Sequence, residues 1–165
     1  MNADLFDHIR KAKEEMCHVS LEYHDEMNSR DDPLTHEQRS YELPDGDIIE
    51  VNHLKRITAA ECIFEPQRIL GISHPELQEC SGGIANLAYR SIEKCDQDLR
   101  ISLYSNVVLA GGTTLMKRFP ERFEYELKTL ARGEAKTDIK VQAVLHRKNA
   151  AWVGGSMLAS FNTFN

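Results

Sequence analysis

The sequence has no excess of basic residues. Its 165 residues contain 20 Lys and Arg against 26 Asp and Glu, which gives a net charge of −6. A negative balance removes the electrostatic attraction on which non-specific binding to nucleic acid or to anionic membranes depends. We therefore expect neither nucleic acid nor a membrane as a partner.

Long hydrophobic runs are also missing. No apolar stretch approaches the roughly 18 residues that a membrane-spanning helix needs. The first ten residues carry Asp4, Asp7 and Arg10 and lack the apolar core of a secretory signal. We expect no membrane span and no signal peptide.

The usual metal-binding and nucleophile motifs are absent. The four cysteines, at 17, 62, 80 and 95, form no C-x-x-C pair, and the seven histidines form no H-x-x-x-H motif. Cysteines with such spacings are typical of small side chains in a reducing compartment. The pattern assigns no catalytic residue and no metal ligand.

The composition is otherwise that of a folded chain, with 41% hydrophobic and 28% charged residues. The length corresponds to one domain or to a piece of a larger one. Apolar residues at steps of three and four predict a long amphipathic helix over residues 4–27. Beside its apolar stripe lies a second one, made of Arg10, Lys13, Glu14 and Cys17. Taken alone, that stripe favours a solvated face with local ion pairs.

A hairpin and a short helix are predicted next. Apolar residues flank the turn at residues 44–46, Pro-Asp-Gly, which favours a β-hairpin. Thr58 and Glu61 have capping-box spacing, which predicts a helix that begins at Thr58 and runs to about Phe64. Residues 28–39 and 67–82 have loop composition.

Helical and strand patterns alternate in the second half of the chain. Helices are predicted from Gly83, from Phe119 with Pro120 near the first turn, and over 149–161, the last entered through a glycine turn. A short helix or turn is predicted around residues 99–103. Strands are predicted at 107–109 and 139–143. This mixture indicates an α/β layer architecture.

Two features could bind a ligand. The first is Gly-Gly-Thr-Thr at residues 111–114, where two glycines allow close approach and the next helix offers free amides. The alternative is a simple tight turn. The second is Arg147-Lys148 before Trp152, for which the alternative is a surface pair beside a buried aromatic residue.

Several segments, in order and with nearly matching spacing, resemble the actin family: residues 40–46, 92–96, 111–114, 152–156, 158–160 and 163–164. The chain is similar to the C-terminal part of an actin or of a divergent actin-related protein. The resemblance implies a partial ribonuclease-H-like, actin-type ATPase domain with a helical and hairpin subdomain insertion. It further implies an adenosine-contacting helix and hairpin subdomain at 1–72, part of the large-domain core at 73–148, and the start of a return helix at 149–165. The N-terminal half of the family fold is expected to be absent.

The same resemblance implies a set of nucleotide contacts. Lys13 and Glu14 match the family's adenine and ribose contacts, and Arg10 matches a neighbouring basic position. The family's nucleotide loop corresponds to Gly111, Gly112 and Thr113, and its adenine-side lysine corresponds to Lys148. Met116 stands where the family usually has an aromatic residue for the adenine.

Some family features are missing or changed. The Asp-x-Gly phosphate loops, the water-positioning residues and the aspartates around Mg²⁺ have no counterpart here, so the chain would not hydrolyse ATP alone. In a complete protein the expected ligand is ATP or ADP, with Mg²⁺ only through the nucleotide. Residues 72–83, where the family makes filament contacts, are longer than in conventional actin, which favours a divergent member that polymerises poorly with it. The alternative is a harmless surface insertion, because loops tolerate added length at little cost.

The implied function is that of an actin-like cytoskeletal protein of the cytoplasm that contributes adenosine contacts and a filament-facing surface. Its expected partners are other actin-like subunits, actin-binding proteins or a separate N-terminal half. The alternative is an actin-related scaffold subunit, nuclear or dynein-associated, with static nucleotide or none. A sugar kinase or chaperone ATPase of the same superfamily is disfavoured by residues 41–46 and 152–156.

Overall fold

A computed structural model describes residues 3–28, 38–71 and 82–161 of the chain. The chain divides into two compact units, Met1–Ile84 and Ala85–Asn165. In the described residues, helices alternate with two two-stranded sheets, which agrees with the predicted α/β class. The ribonuclease-H-like topology and the functional boundaries at residues 72 and 148 stay predictions. None of the described helices is long and apolar enough to cross a membrane.

The first unit opens with two helices where one long helix was predicted. Helix α1 spans Ala3–Met16 and α2 spans Tyr23–Asn28. Val19 and Ser20, which lie between them, are fully buried. The Ser20 hydroxyl accepts a hydrogen bond from the amide of Glu22 at 3.1 Å. This local bond forms after α1 has ended and closes the turn that leads into α2.

The predicted hairpin is confirmed. Strands β1, Gln38–Glu42, and β2, Ile48–Asn52, pair antiparallel, with Tyr41 opposite Ile49. The turn between them places Gly46 at a φ of 88°, a conformation that favours glycine. The Asp45 carboxylate accepts a hydrogen bond from the Asp47 amide at 3.1 Å, which closes the turn.

Helix α3 begins five residues earlier than the capping-box pattern predicted, so that start was wrong. It spans His53–Glu61, and the Asn52 side chain caps it by accepting a bond from the Lys55 amide at 2.9 Å. Thr58 lies inside the helix and donates its hydroxyl to the Leu54 carbonyl at 2.7 Å. A short helix α4, Pro66–Leu70, follows in the segment predicted as a loop. Most of the lengthened segment at residues 72–83 lies outside the described residues, since these omit 72–81.

The core of the first unit gathers apolar side chains of the segment after α1, of α3 and of the residues just after α3: Val19, Ile57, Ala60 and Phe64 are almost fully buried. Gly83, the first residue of α5, lies directly against the Phe64 backbone, and a Cβ there would stand 1.9 Å from the Phe64 carbonyl oxygen. The Ile84 amide donates to the Ile63 carbonyl at 3.0 Å. The start of α5 is thus fixed by contact with the backbone after α3.

The predicted helix from Gly83 is confirmed as α5, Gly83–Glu93, and the helix or turn predicted around residues 99–103 is a helix, α6, Gln97–Tyr104. Glu93 joins them. Its carboxylate accepts hydrogen bonds from Arg100 at 2.8 Å and from the Tyr104 hydroxyl at 3.2 Å. Burial, followed by this hydrogen bond to Glu93, raises the pKa of Tyr104, so the hydroxyl stays a donor.

The second sheet consists of two short parallel strands. Strand β3, Val107–Val108, pairs with β4, Val141–Gln142, and helix α7, Phe119–Leu130, lies between them in sequence. The buried face of α7 carries Phe119, Phe123 and Leu127. A strand, a helix and a parallel strand make a crossover unit, and its strands lie within the two segments that the sequence pattern predicted as strands.

The last helix, α8, spans Ala150–Ala159 and carries Gly154 and Gly155 in its interior. The predicted glycine turn at its entry was therefore wrong. A short 3-10 turn, Arg147–Asn149, makes the entry instead. Trp152 is 76% exposed rather than buried.

Candidate functional site

The loop at residues 111–115 follows β3 and forms a 3-10 turn, Gly112–Leu115, before α7. Gly111 has a φ of 91°, which a side chain would disfavour. The Thr114 hydroxyl donates to the Gly111 carbonyl at 2.8 Å and closes the loop on itself. Gly112 and Thr113 remain exposed. The loop therefore exposes Gly112 and Thr113 on its solvent side, while its other side carries the buried Thr114.

Arg147 fixes the buried side of the loop through hydrogen bonds. It is 6% exposed, and its Nε donates to Thr114 Oγ1 at 2.9 Å while one terminal nitrogen donates to the Thr114 carbonyl at 2.6 Å. The other terminal nitrogen donates to the Val144 carbonyl at 2.9 Å. In return, the Gly111 amide donates to the Arg147 carbonyl at 2.9 Å. The 3-10 turn that carries Arg147 is thereby bound directly to the loop.

Lys148, the next residue, lies along Gly112. A Cβ at Gly112 would stand 3.6 Å from Lys148 Cγ and 3.8 Å from its Cε, an ordinary van der Waals contact. The aliphatic stem of Lys148 therefore runs beside the only position of the 3-10 turn that has no side chain. Together, Gly112 and Lys148 form one wall with an ammonium group at its end.

Met116 ends this turn, and its amide donates to the Thr113 carbonyl at 3.2 Å. Its side chain is half-buried. Arg118, two residues further on, has a φ of 66°, and in the described ranges it is the one non-glycine residue with positive φ. The structure thus brings five of the predicted site residues together in the second unit, on the loop after β3 and on the adjoining 3-10 turn: Gly111, Gly112, Thr113, Met116 and Lys148.

The other three predicted residues lie in the first unit on the exposed side of α1. Arg10 makes an ion pair with Asp7 at 2.5 Å and reaches the Glu14 carboxylate at 3.5 Å. The hydrogen bond to Asp7 raises the pKa of Arg10, and the same bond lowers the pKa of Asp7. Lys13 and Glu14 are both exposed. The predicted stripe is therefore formed on the helix surface, and its local ion pairs are present as well.

A second polar cluster, which the sequence did not indicate, lies in the first unit around Glu26. The Glu26 carboxylate accepts from the Ser20 hydroxyl at 2.6 Å and lies 2.7 Å from His53 Nε2. Burial alone would raise the pKa of Glu26, but these two hydrogen bonds hold it below the ordinary value. The His18 ring lies 5.2 Å from the His53 ring, and burial, followed by the nearby Arg56 cation, lowers the pKa of His18.

In this cluster the Ser20 hydroxyl donates to the Glu26 carboxylate, which is an acceptor for the serine proton and not the histidine base of an activated nucleophile. Within residues 3–28, 38–71 and 82–161, no group of three or more His, Cys, Asp or Glu side chains could hold a metal ion. Cys17, Cys62 and Cys95 carry free thiols. Burial raises the pKa of the Cys17 thiol, which disfavours the reactive thiolate.

The sequence interpretation included Arg147 and Thr114 in its two candidate ligand features but gave them no role in organising the loop. The basic pair at 147–148 was weighed as a surface feature, yet Arg147 is buried and its neighbour Lys148 is exposed. The one sequence signal that could have indicated a role for Arg147 is that it directly precedes Lys148, a predicted site residue. Its bonding partner Thr114 is 33 residues away, beyond the reach of local patterns.

A family model provides the comparison with known proteins. The model described as Actin matches residues 4–165, nearly the whole chain, and covers both the α1 stripe and the loop with its lysine. Members of this family generally bind ATP or ADP with Mg²⁺. A match of this extent identifies the chain as a member of the actin family.

Proposed function

We propose that this chain contributes the adenosine contacts of an ATP site and a filament-facing surface to an actin-like cytoskeletal protein of the cytoplasm. The observation that carries the nucleotide part is the placement of the Lys148 stem beside Gly112, on a turn bound to the loop. This arrangement leaves a backbone that a planar ligand can approach, with a cation at its border.

The chemistry of the predicted residues fits a nucleoside. Lys148 and Lys13 supply ammonium donors, and the Glu14 carboxylate can accept hydrogen bonds from ribose hydroxyls. Met116 offers a polarizable, flexible surface that can pack against a purine. ATP or ADP would bring its own Mg²⁺, which these residues would not ligate. No hydrolytic step is assigned to any residue of the chain.

A second candidate is a scaffold role in a larger complex, with static nucleotide or none. Met116 favours it, because a methionine replaces the aromatic stacking that the resemblance leads one to expect at that position. A scaffold subunit would neither join filaments nor exchange nucleotide readily. Co-sedimentation with conventional actin filaments, with and without bound nucleotide, distinguishes the two roles.

Calorimetric titration of the purified chain with Mg-ADP and Mg-ATP tests the nucleotide site. We expect Lys148→Ala and Glu14→Ala each to weaken binding about ten- to a hundredfold, since a lost hydrogen bond to a charged group costs about 1.5–3 kcal/mol. Glu22→Ala, which removes an exposed carboxylate outside the site, is the matched control. A chain that binds neither nucleotide, or variants that both bind like the control, would contradict the proposal.

A further inference from the structure

None of the proposed nucleotide contacts involves the buried guanidinium of Arg147. Every hydrogen bond described for it goes to a neutral oxygen, of Thr114, Val144 or Ala143. Burying a charged group is costly unless hydrogen bonds compensate it, and an apolar side chain of similar size often fills such a space more cheaply. A buried arginine here is therefore better explained by the geometry that it imposes than by the space that it fills.

That geometry is a closed ring of hydrogen bonds. Arg147 donates to Thr114 at 2.9 and 2.6 Å, the Thr114 hydroxyl donates to the Gly111 carbonyl at 2.8 Å, and the Gly111 amide donates to the Arg147 carbonyl at 2.9 Å. Gly112 lies inside this ring in sequence, between Gly111 and Thr114. Lys148 is attached to it as the residue after Arg147.

The planar guanidinium suits this task because it bonds a hydroxyl and a carbonyl of one residue with two parallel donors. Lysine has no such fork, and methionine has no donors. Loss of the ring would allow the turn at 147–149 to move relative to the loop. Lys148 would then no longer be held against Gly112.

We infer that Arg147 is a positioning residue that sets the spacing between Gly112 and Lys148 and, through Lys148, the affinity for the adenosine nucleotide. This inference rests on the proposed function for its ligand. The ring itself does not depend on that function, so the two can be tested separately.

The first experiment measures the ring without ligand, by NMR amide hydrogen exchange on the full 165-residue chain. We expect Arg147→Met and Thr114→Val to accelerate exchange of the Gly111 amide at least about tenfold. Thr114→Ser, which keeps the hydroxyl, should retain slow exchange. Arg122→Met is the matched control, because Arg122 is also 6% exposed and lies in the same unit, but bonds Glu126.

The second experiment titrates the same variants with Mg-ADP and follows the amide signals of Gly112 and Lys148. We expect Thr114→Val and Arg147→Met to lose about tenfold or more in affinity, and Thr114→Ser to recover it. Arg122→Met should bind within about twofold of the parent chain even where it loses comparable stability. If Arg147 had only a structural role, Arg147→Met and Arg122→Met would both lower the stability of the chain. The affinity of the folded variants for Mg-ADP would then be unchanged.

Each outcome decides a different point. Slow Gly111 exchange in both Thr114→Val and Arg147→Met would overturn the ring. Fast exchange with unchanged affinity would overturn the positioning role. If the parent chain binds no nucleotide, the proposed function fails, while the exchange data still decide whether Arg147 holds the loop. Should Arg147→Met not fold, the Thr114→Val and Thr114→Ser pair gives the same decision.

Discussion

Replacing Gly83 by alanine should be among the most damaging single-methyl changes in this chain. A Cβ at Gly83 would lie 1.9 Å from the Phe64 carbonyl oxygen, 2.4 Å from its carbonyl carbon and 2.7 Å from its Cα. All three atoms belong to the backbone, so no side-chain rotation can relieve the contact. Phe64 is itself 1% exposed, so its backbone cannot retreat into solvent. Either the start of α5 or the core around Phe64 must move.

The size of the effect follows from two contributions. Gly83 has a φ of 65°, and a side chain in that region costs about 1–2 kcal/mol, offset by about 0.4–1 kcal/mol because alanine restricts the unfolded chain. Overpacking adds about 1–3 kcal/mol and occasionally more. We expect Gly83→Ala to lower the free energy of unfolding by about 2–4 kcal/mol.

Gly71→Ala separates the two contributions. Gly71 lies in the same unit with a nearly equal φ of 60°, and its Cβ would meet nothing within 4 Å. It should therefore show the backbone cost alone, about 1 kcal/mol or less. Urea unfolding followed by far-UV circular dichroism gives both free energies, and exchange of the Ile84 amide, which bonds the Ile63 carbonyl, reports the local displacement. Equal losses in the two variants, with Ile84 exchange unchanged, would refute the close approach of α5 to Phe64.

Three further predictions concern other sites. Arg118→Gly should stabilise the chain by up to about 1 kcal/mol, because Arg118 has a φ of 66°; an unchanged or lower urea midpoint would contradict this. A double-mutant cycle of Glu93→Ala and Tyr104→Phe should give a coupling of about 1 kcal/mol, since their side chains bond at 3.2 Å; additive losses would show that the bond contributes nothing. Stability should fall as pH drops below 6.5, because the lowered pKa of His18 means that the folded chain takes up this proton less readily than the unfolded chain. This contribution to stability is fully present above pH 6.5 and is lost as the pH falls toward the lower pKa that His18 has in the folded chain. The lowered pKa of Glu26 also makes stability fall with falling pH, but in a more acidic range. His18→Gln should therefore flatten only the less acidic part of the curve of unfolding free energy against pH, as measured with urea.

Local patterns determined those parts of the chain whose structure depends on neighbours in sequence. The hairpin follows from a turn in which Gly46 supplies positive φ and Asp45 closes the backbone. Helices α5 and α6 follow from apolar residues at helical spacing. The resemblance that led to the family likewise rests on short segments and their order, and the match over residues 4–165 confirmed it.

Tertiary structure decided the features that depend on burial against distant residues. The predicted first helix breaks because Val19 and Ser20 enter the core, and helical periodicity continues through them without any sign of it. Arg147 is buried and hydrogen-bonded to the loop rather than exposed at the surface. Its bonding partner Thr114 lies 33 residues away in sequence, so only the folded chain brings the two together. Sequence patterns record hydrogen bonds and apolar spacing over a few residues. The cost or gain of burying a particular charge depends on which oxygens the folded chain brings to it, and only the tertiary structure supplies those.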